Sequence, residues 1–285
     1  MKSTMAICAL ALVLVVTAAA PTAAQSGGGF PGNVPDTFRI RLGTMYGDFS
    51  TNFAIAGKGG GLGTILNFED LFTLESTKAS FRLEGTWRLG RRSSLLFGYL
   101  NYNRTGRRAP EREFQFLGYT ILAGVGVKDE FKTRFTVLAY RYDAYDNGEV
   151  RLSGTAGLTY MQLATRMVTG IGVIGPNGNP LGRGIDETVA INQVVPLIGA
   201  GVDWAVSPRF ATNLYFRGLY IDYSGFRGGV TETGLSGTWF LHRNVGLGLG
   251  AERTDVRIKD YDGGNFKARG AYSVLGVKLF LEAAF

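Results

Sequence analysis

The sequence predicts an all-β protein, a closed antiparallel transmembrane β-barrel, and three observations lead to that prediction. A large aromatic residue precedes a chain reversal four times, at Trp87, Tyr140, Trp204 and Trp239. The last strand alternates apolar and polar residues and ends on Phe285. The chain begins like an export signal, and no later segment has the roughly 18 consecutive apolar residues of a membrane-spanning helix. An exported chain of alternating strands crosses a membrane by closing its sheet on itself.

The N-terminal residues predict a secretory signal peptide over 1–24. Lys2 supplies the positive charge, the apolar run 6–16 is too short to span a bilayer, and the small residues 22–24 offer a cleavage site. The one cysteine, Cys8, lies inside this signal, so the mature chain has no disulfide to hold it together.

The remaining chain predicts a short leader followed by one domain. Residues 25–36 are rich in glycine and proline and are expected to form a flexible periplasmic leader. Residues 37–285 are expected to form the barrel, a length suited to a single domain.

The composition favours β-structure and argues against several partners. The chain has 42 glycines, 12% aromatic residues and 8 prolines, a balance that is typical of β-proteins. The net charge of +7 is not gathered into a basic tract, so no nucleic-acid partner is expected. We also expect no cofactor and no bound metal.

Alternation between apolar and polar residues defines about ten strands, with eight and twelve as alternatives. They are expected at 37–55, 77–89, 94–117, 124–142, 149–169, 189–206, 209–222, 228–241, 244–259 and 266–285. The facing of 94–117 stays open, because both of its parities carry large apolar residues. The turns after the aromatic residues are short, whereas 56–76 and 170–188 are long and glycine-rich, so the short side is expected to be periplasmic and the long loops extracellular.

The two faces of these strands differ in chemistry. One face is apolar and ends in an aromatic girdle at the lipid–water boundary, made of Trp87, Tyr140, Trp204 and Trp239. The other face is charged and is expected to line the lumen with Arg39, Arg41, Arg82, Glu84, Arg88, Arg151, Asp203, Arg217, Glu232, Glu252, Lys278 and Glu282. The alternative is a secreted sandwich or lipocalin-like barrel whose apolar face points inward.

Mixed charges inside a narrow barrel predict an ion-pair network, and a polar pathway for a small solute is the alternative. Closure is expected to bring Arg39 and Arg41 beside Lys278 and Glu282. Inward glycines such as Gly248 and Gly250 either open a cavity or let long side chains pack across the lumen, and the sequence leaves both open.

A cluster of arginines at the predicted upper rim is a candidate contact for lipopolysaccharide phosphates. It contains Arg104, Arg107, Arg108 and Arg112. A solvated rim, with Glu111 and Glu113 nearby, is the alternative interpretation.

The export signal, the strand rhythm and the closing strand resemble those of small bacterial outer-membrane β-barrels, the OmpA/OmpW-like group. The resemblance implies residence in the outer membrane of a Gram-negative bacterium, contact with outer-membrane lipid and lipopolysaccharide, and recognition of Phe285 by the barrel assembly machinery. It also implies passage of small molecules, which in OmpW-like members are often hydrophobic. The chain departs from the group by having ten predicted strands where eight are typical.

These observations support a non-enzymatic barrel that gives restricted passage to, or binds, a small molecule in a narrow polar lumen. The alternatives are a structural or surface-interaction barrel with a plugged lumen, using loops 56–76 and 170–188, and a lipid-modifying enzyme. The enzyme is the weakest of the three, because the one histidine, His242, falls in a predicted periplasmic turn, away from outer-leaflet lipid.

Overall fold

The computed structural model describes residues 30–32, 34–57 and 65–285. The predicted signal peptide 1–24, half of the leader (25–29 and 33) and residues 58–64 of the first long loop lie outside the described residues. None of the helices in the described ranges has the length and apolar character needed to cross a bilayer.

Ten long antiparallel strands form a closed sheet within the described part of the chain, as the alternation predicts. Each strand pairs with its neighbour in sequence, and the last pairs with the first. The strands are β1 (Phe38–Gly57), β3 (Thr77–Arg88), β4 (Ser93–Arg108), β7 (Val127–Asp146), β8 (Val150–Thr169), β10 (Asp186–Ser207), β11 (Phe210–Tyr223), β12 (Phe226–His242), β13 (Val245–Asp262) and β14 (Phe266–Ala284).

Short elements fill the connections at one end of the barrel. They are β2 (Leu66–Asn67), the helix α1 (Phe68–Phe72), β5 (Phe114–Phe116), β6 (Tyr119–Ile121) and β9 (Val173–Ile174). The Asn67 side chain caps α1 by accepting a hydrogen bond from the backbone N–H of Asp70 at 2.9 Å, which satisfies one free N–H of the helix start. Strands β5, β6 and β9 pair with one another in a separate small sheet.

The two ends of the barrel differ, and we call them the terminal end and the loop end. The terminal end holds Phe285, the start of β1 and the tight turns after β3, β7, β10 and β12. In the turn after β7, Gly148 adopts φ of 85°, and the Asn147 side chain accepts the N–H of Val150 at 2.7 Å. The loop end holds the three long connections that carry the short elements, together with tight turns after β11 and β13.

The third long strand is shorter than predicted. It ends at Arg108 rather than 117, and Pro110, which has no backbone N–H to donate to a ladder, follows two residues later. Residues 114–121 turn back as the β5–β6 hairpin. The open question of its facing is also answered, since Leu100 and Tyr102 are buried inside the barrel.

Part of the predicted leader packs on the barrel. Phe30 and Val34 are 2% and 3% exposed, and the Arg151 guanidinium lies 4.2 Å from the Phe30 ring centroid. Val34 packs against Phe240 of β12 and Ala284 of β14, two strands separated by β13. These contacts place this part of the leader across the terminal end.

The polarity of the two faces exchanges about halfway along the barrel. In the terminal half of β7, Tyr140 faces outward and Arg141 lies inside among its partners. In the loop half of the same strand, Lys132 faces outward and Phe131 is buried inside. The strand keeps its parity between these two positions, so only the residue chemistry changes. The prediction of a polar lumen holds for the terminal half alone.

The closing strand β14 shows the same exchange. Its outward residues from Leu275 to Phe285 are apolar, and Lys267 and Arg269 replace them nearer the loop end. Ten residues in a strand tilted by about 40° rise about 25 Å, which equals the apolar band of membrane barrels. The 20 residues of β7 rise about 50 Å on the same geometry, so about half of the barrel extends beyond that band.

An apolar core fills the inside of the loop half. Some of its aromatic rings meet edge to face. The ring centroids of Phe49 and Tyr102 are 4.7 Å apart, and those of Phe68 and Phe72 are 5.1 Å apart. We call this set the loop-half core: Phe49, Phe53, Phe68, Phe72, Leu74, Tyr102, Phe114, Phe116, Ile121, Phe131, Phe135 and Tyr272. Helix α1 and the β5–β6 hairpin supply part of it, so the first two long loops fold into the mouth.

Candidate functional site

The inside of the terminal half is a network of ion pairs. Within the described residues it brings together eight cations and eight anions. They are Arg39, Arg41, Arg82, Arg88, Arg141, Arg151, Arg217 and Lys278, with Asp36, Glu84, Asp143, Asp146, Asp203, Glu232, Glu252 and Glu282. This balance matters because an unpaired charge at membrane depth is costly.

The centre of the network is built around Arg82. Its Nη1 donates to Glu252 at 2.6 Å and its Nε donates to Glu84 at 2.7 Å. Lys278, which is 2% exposed, lies between the same two carboxylates at 3.2 and 3.5 Å. The Tyr215 hydroxyl donates to the other oxygen of Glu252. Each buried charge therefore has two or more partners, the condition under which buried ion pairs are tolerated.

The closing seam between β1 and β14 carries a second group of ion pairs. Glu282 is 1% exposed; it accepts from Arg41 Nε at 2.9 Å and from the Thr238 hydroxyl at 3.0 Å, and Arg39 lies 3.5 Å away. Arg41 and Glu282 face each other directly in the strand register. The predicted approach of strand one to the last strand is therefore observed.

A third group lies at the terminal mouth and includes the leader. Asp36 lies 2.7 Å from Arg151 and 3.3 Å from Arg88. Arg88 also reaches Asp143 at 3.2 Å, and Arg151 reaches Asp146 at 2.7 Å. The leader thus places its own carboxylate between two arginines of the barrel wall.

Four members of the network were not among the predicted residues: Asp36, Arg141, Asp143 and Asp146. Arg141 lies between the outward Tyr140 and Tyr142, so strand parity alone indicates its inward position. Asp143 shares that parity. Asp146 follows a β-bulge between Asp143 and Tyr145 that shifts the register, and Asp36 precedes the first strand, so parity gives no signal for these two.

The inward glycines make room for long side chains. A Cβ on Gly234 would lie 2.5 Å from the Tyr215 ring, and one on Gly248 would lie 2.1 Å from the Phe280 ring. The Arg41 guanidinium in turn lies 5.0 Å from the Phe280 ring centroid. Of the two alternatives, packing of side chains across the lumen is therefore the one seen at these positions.

A cavity of about 150 Å³ remains between the network and the opposite wall. Arginines and carboxylates line one side, and Leu96, Leu100, Phe135 and Val137 line another. Phe30 and Asp36 of the leader are also among the lining residues. The cavity lies below the loop-half core and next to the terminal mouth.

Arg104 is not on the upper rim, contrary to prediction. It is fully buried in the loop half, where its Nη1 donates to Glu69 at 2.7 Å and its Nη2 donates to the Thr51 hydroxyl at 2.6 Å. The parity of β4 turns it inward. Arg107, Arg108 and Arg112 are exposed at the loop end, and Arg108 donates to the backbone carbonyl of Asp70 at 2.9 Å.

The aromatic girdle residues lie on the outer surface near the terminal end. Trp87, Tyr140, Trp204 and Trp239 are 52%, 44%, 48% and 54% exposed. Phe285 also faces outward, and its backbone pairs with Phe38 across the seam.

Glu75 and Tyr119 at the loop end have shifted pKa values. Hydrogen bonds from Lys78 lower the pKa of Glu75, whose backbone carbonyl also accepts from Arg104 at 3.2 Å. Burial and the neighbouring Glu187 raise the pKa of Tyr119 in the β5–β6 hairpin. Both shifts reflect packing of the loops against the barrel rim.

The single histidine lies at the opposite end. His242 is exposed in the turn after β12, and its Nδ1 accepts from the Asn244 backbone N–H at 3.4 Å. Among the described residues, no group of three or more histidine, cysteine, aspartate or glutamate side chains has the arrangement of a metal site.

No protein-family model matches the sequence, and no curated protein sequence matches it. Solved structures do match its shape. The outer-membrane protease OmpT of Escherichia coli aligns with a TM-score of 0.52 and 12% identity, over 87% of this chain and 97% of its own. This chain has the fold of an outer-membrane β-barrel.

Other outer-membrane barrels align with lower scores. The translocator domain of the autotransporter NalP from Neisseria meningitidis has a TM-score of 0.46 and 12% identity, over 100% of this chain and 96% of its own. The toluene transporter TodX of Pseudomonas putida has a TM-score of 0.37 and 9% identity, over 89% of this chain and 91% of its own. The alignments show a shared fold, so the function of this outer-membrane barrel is inferred from its own residues.

Proposed function

We propose that the chain is a sealed, non-enzymatic outer-membrane barrel with a structural or surface-interaction role. The observation that carries this proposal is the exchange of polarity between the two halves. An apolar exterior over about 25 Å suits the membrane, whereas the charged exterior and apolar interior of the loop half suit water. The terminal half then anchors the protein, and the loop half stands outside the membrane as a closed stalk.

Passage of a solute, the first hypothesis from the sequence, is less well supported than the plugged alternative. The loop-half core lies above the cavity, and its aromatic residues Phe68 and Phe72 are 1% and 0% exposed. A route through the barrel requires α1 to leave the mouth. That movement breaks the buried contact between Glu69 and Arg104.

Three features bear on the remaining parts of the proposal. The position of His242 at the terminal end, the periplasmic side in this orientation, supports a role other than hydrolysis of outer-leaflet lipid. Arg107, Arg108 and Arg112 are exposed at the loop end, well beyond the apolar band, so this orientation favours a solvated rim over contact with lipopolysaccharide phosphates. The outward Phe285 supports recognition by the barrel assembly machinery.

Single-channel recording tests the seal. The chain, without residues 1–24, is refolded into vesicles, and insertion is checked by flotation and by heat-modifiable mobility on gels. We expect no discrete openings in a planar bilayer, while an open porin added to the same bilayer conducts. Repeated current steps from the correctly folded barrel would show that solutes pass and would reject the sealed state.

A further inference from the structure

The cavity in the terminal half carries an excess of positive charge. Seven arginine side chains and five carboxylates line it, an excess of two positive charges when all are ionised. One of the five carboxylates, Asp36, belongs to the leader and not to the barrel wall. The wall by itself therefore has an excess of three, although the whole network is balanced.

One anion already occupies the cavity, and the chain itself provides it. The Asp36 carboxylate contacts Arg151 and Arg88 at 2.7 and 3.3 Å. The arginine fork is suited to carboxylates by its planar geometry. A buried Nη2 of Arg39, another lining residue, has no hydrogen-bond partner among the described residues, so the wall retains a donor that Asp36 does not use.

The segment that carries Asp36 lies across the mouth and not along the wall. Phe30 packs on Arg151 of β8, Val34 packs on Phe240 of β12, and a Cβ on Gly32 would lie 3.2 Å from the carbonyl of Pro208. These contacts span strands far apart in the ring. Release of the leader therefore opens the cavity to the terminal end and removes one carboxylate from two arginines at once.

The opposite wall limits the size and the chemistry of an occupant. Leu96, Leu100, Phe135 and Val137 form an apolar surface. A cavity of about 150 Å³ is the size that accepts one benzene ring in an apolar protein site. An occupant that satisfies both walls has one anionic group and one small apolar group.

We propose that this cavity binds a small organic carboxylate bearing a single ring or a short apolar chain, and that Asp36 of the leader is its internal competitor. The ligand carboxylate takes the place of Asp36 beside Arg88 and Arg151, and its apolar part lies against the wall that contains Phe135. Binding requires no passage through the loop half. The proposal is thus independent of the seal, because conductance and binding are read in separate experiments and each can fail alone.

Calorimetric titration of the refolded barrel in detergent tests the site with three probes. Benzoate combines charge and ring, acetate has the charge without the ring, and benzylamine has the ring with the opposite charge. We expect benzoate to bind at least about tenfold more tightly than benzylamine, from the charge difference alone. Acetate is expected to bind more weakly than benzoate because it leaves the apolar wall uncovered.

Variants separate competition between Asp36 and the ligand from a general effect of the protein's charge. Asp36→Asn keeps the size of the side chain and removes its charge, and we expect it to tighten benzoate binding by about tenfold. Arg151→Gln and Arg88→Gln are each expected to weaken it. Arg166→Gln, which alters an exposed pair with Asp186 on the outer surface, is the matched control and leaves binding unchanged.

Three outcomes overturn the proposal. The first is equal binding of benzoate and benzylamine. The second is absence of benzoate binding in both the parent and the folded Asp36→Asn variant. The third is weaker benzoate binding in Asp36→Asn, which would make Asp36 part of the site and not its competitor.

Discussion

The Glu69 carboxylate and the Arg104 guanidinium meet at 2.7 Å inside an apolar core. Glu69 lies on α1 and Arg104 on β4, so one contact ties the helix to the barrel wall. Arg104 also lies 4.3 Å from the Phe49 ring centroid, and Glu69 accepts the backbone N–H of Thr51 at 2.8 Å. The charge pair thus holds three chain segments in the mouth.

Glu69→Leu is expected to destabilise the barrel strongly. It leaves Arg104 charged, buried and without its carboxylate, and breaking a buried pair in this way costs about 3–5 kcal/mol. The free energy of unfolding in urea, measured on barrel refolded into vesicles, checks this value.

The double variant Glu69→Leu/Arg104→Leu tests whether the unpaired charge of Arg104 causes the loss of stability. We expect it to be more stable than Glu69→Leu alone, because both charges leave together. Arg166→Gln, which disrupts a pair 51% exposed on each side, is expected to cost less than about 1 kcal/mol. Equal losses at the buried and exposed pairs would show that Arg104 is not buried in the folded protein.

Gly43→Ala is expected to strain the closing seam. A Cβ there would lie 2.2 Å from the carbonyl oxygen of Leu279 and 2.7 Å from Cα of Phe280, so β1 and β14 must move apart. We expect a loss of about 1–3 kcal/mol in the free energy of unfolding, as for other overpacked sites. Gly154→Ala, where a Cβ meets no atom within 4 Å, is the control. A neutral Gly43→Ala would contradict the close approach of these two strands.

The aromatic girdle is expected to lie at the edge of the membrane band that is nearer the terminal end. A variant that keeps Trp239 as its only tryptophan should be quenched by vesicle lipids brominated on their acyl chains, since Trp239 faces outward within the apolar band. Steady-state fluorescence measures the effect.

A tryptophan on the loop half gives the matched comparison. Lys132→Trp in a tryptophan-free background places the probe on the outer face beyond the apolar band, and we expect little quenching there. Strong quenching at both positions would mean that lipid covers the whole barrel. Absence of quenching at both would mean that the barrel is not embedded.

Removal of Phe285 is expected to affect assembly more than stability. Its side chain is 61% exposed and its ring lies 6.5 Å from that of Phe38, so little packing is lost. We expect the amount of barrel in the outer membrane of expressing cells to fall severalfold, and the refolded protein to lose only about 1–2 kcal/mol, mainly from the two backbone hydrogen bonds with Phe38. Normal membrane levels of the shortened chain would exclude a role for Phe285 as an assembly signal.

Strand number and facing follow from the sequence because side chains in a strand alternate strictly. Arg41 and Glu282 were placed inside by parity, and closure then put them opposite one another. Parity gave no answer for β4, where both faces carry large apolar residues. Arg104 was assigned to the rim because it belongs to an arginine cluster near the predicted outer end of that strand.

The sequence by itself determined the closed sheet of about ten strands, its outward girdle and the charges that face inward at the terminal end of the barrel. The tertiary structure decided what fills the tube. Whether Phe68 and Glu69 fold into the mouth, and whether Asp36 reaches Arg151, depends on contacts between segments far apart in the chain. Such contacts carry no local period. They form only because a closed sheet leaves an interior in which apolar loops gain by burial and every buried charge needs a partner.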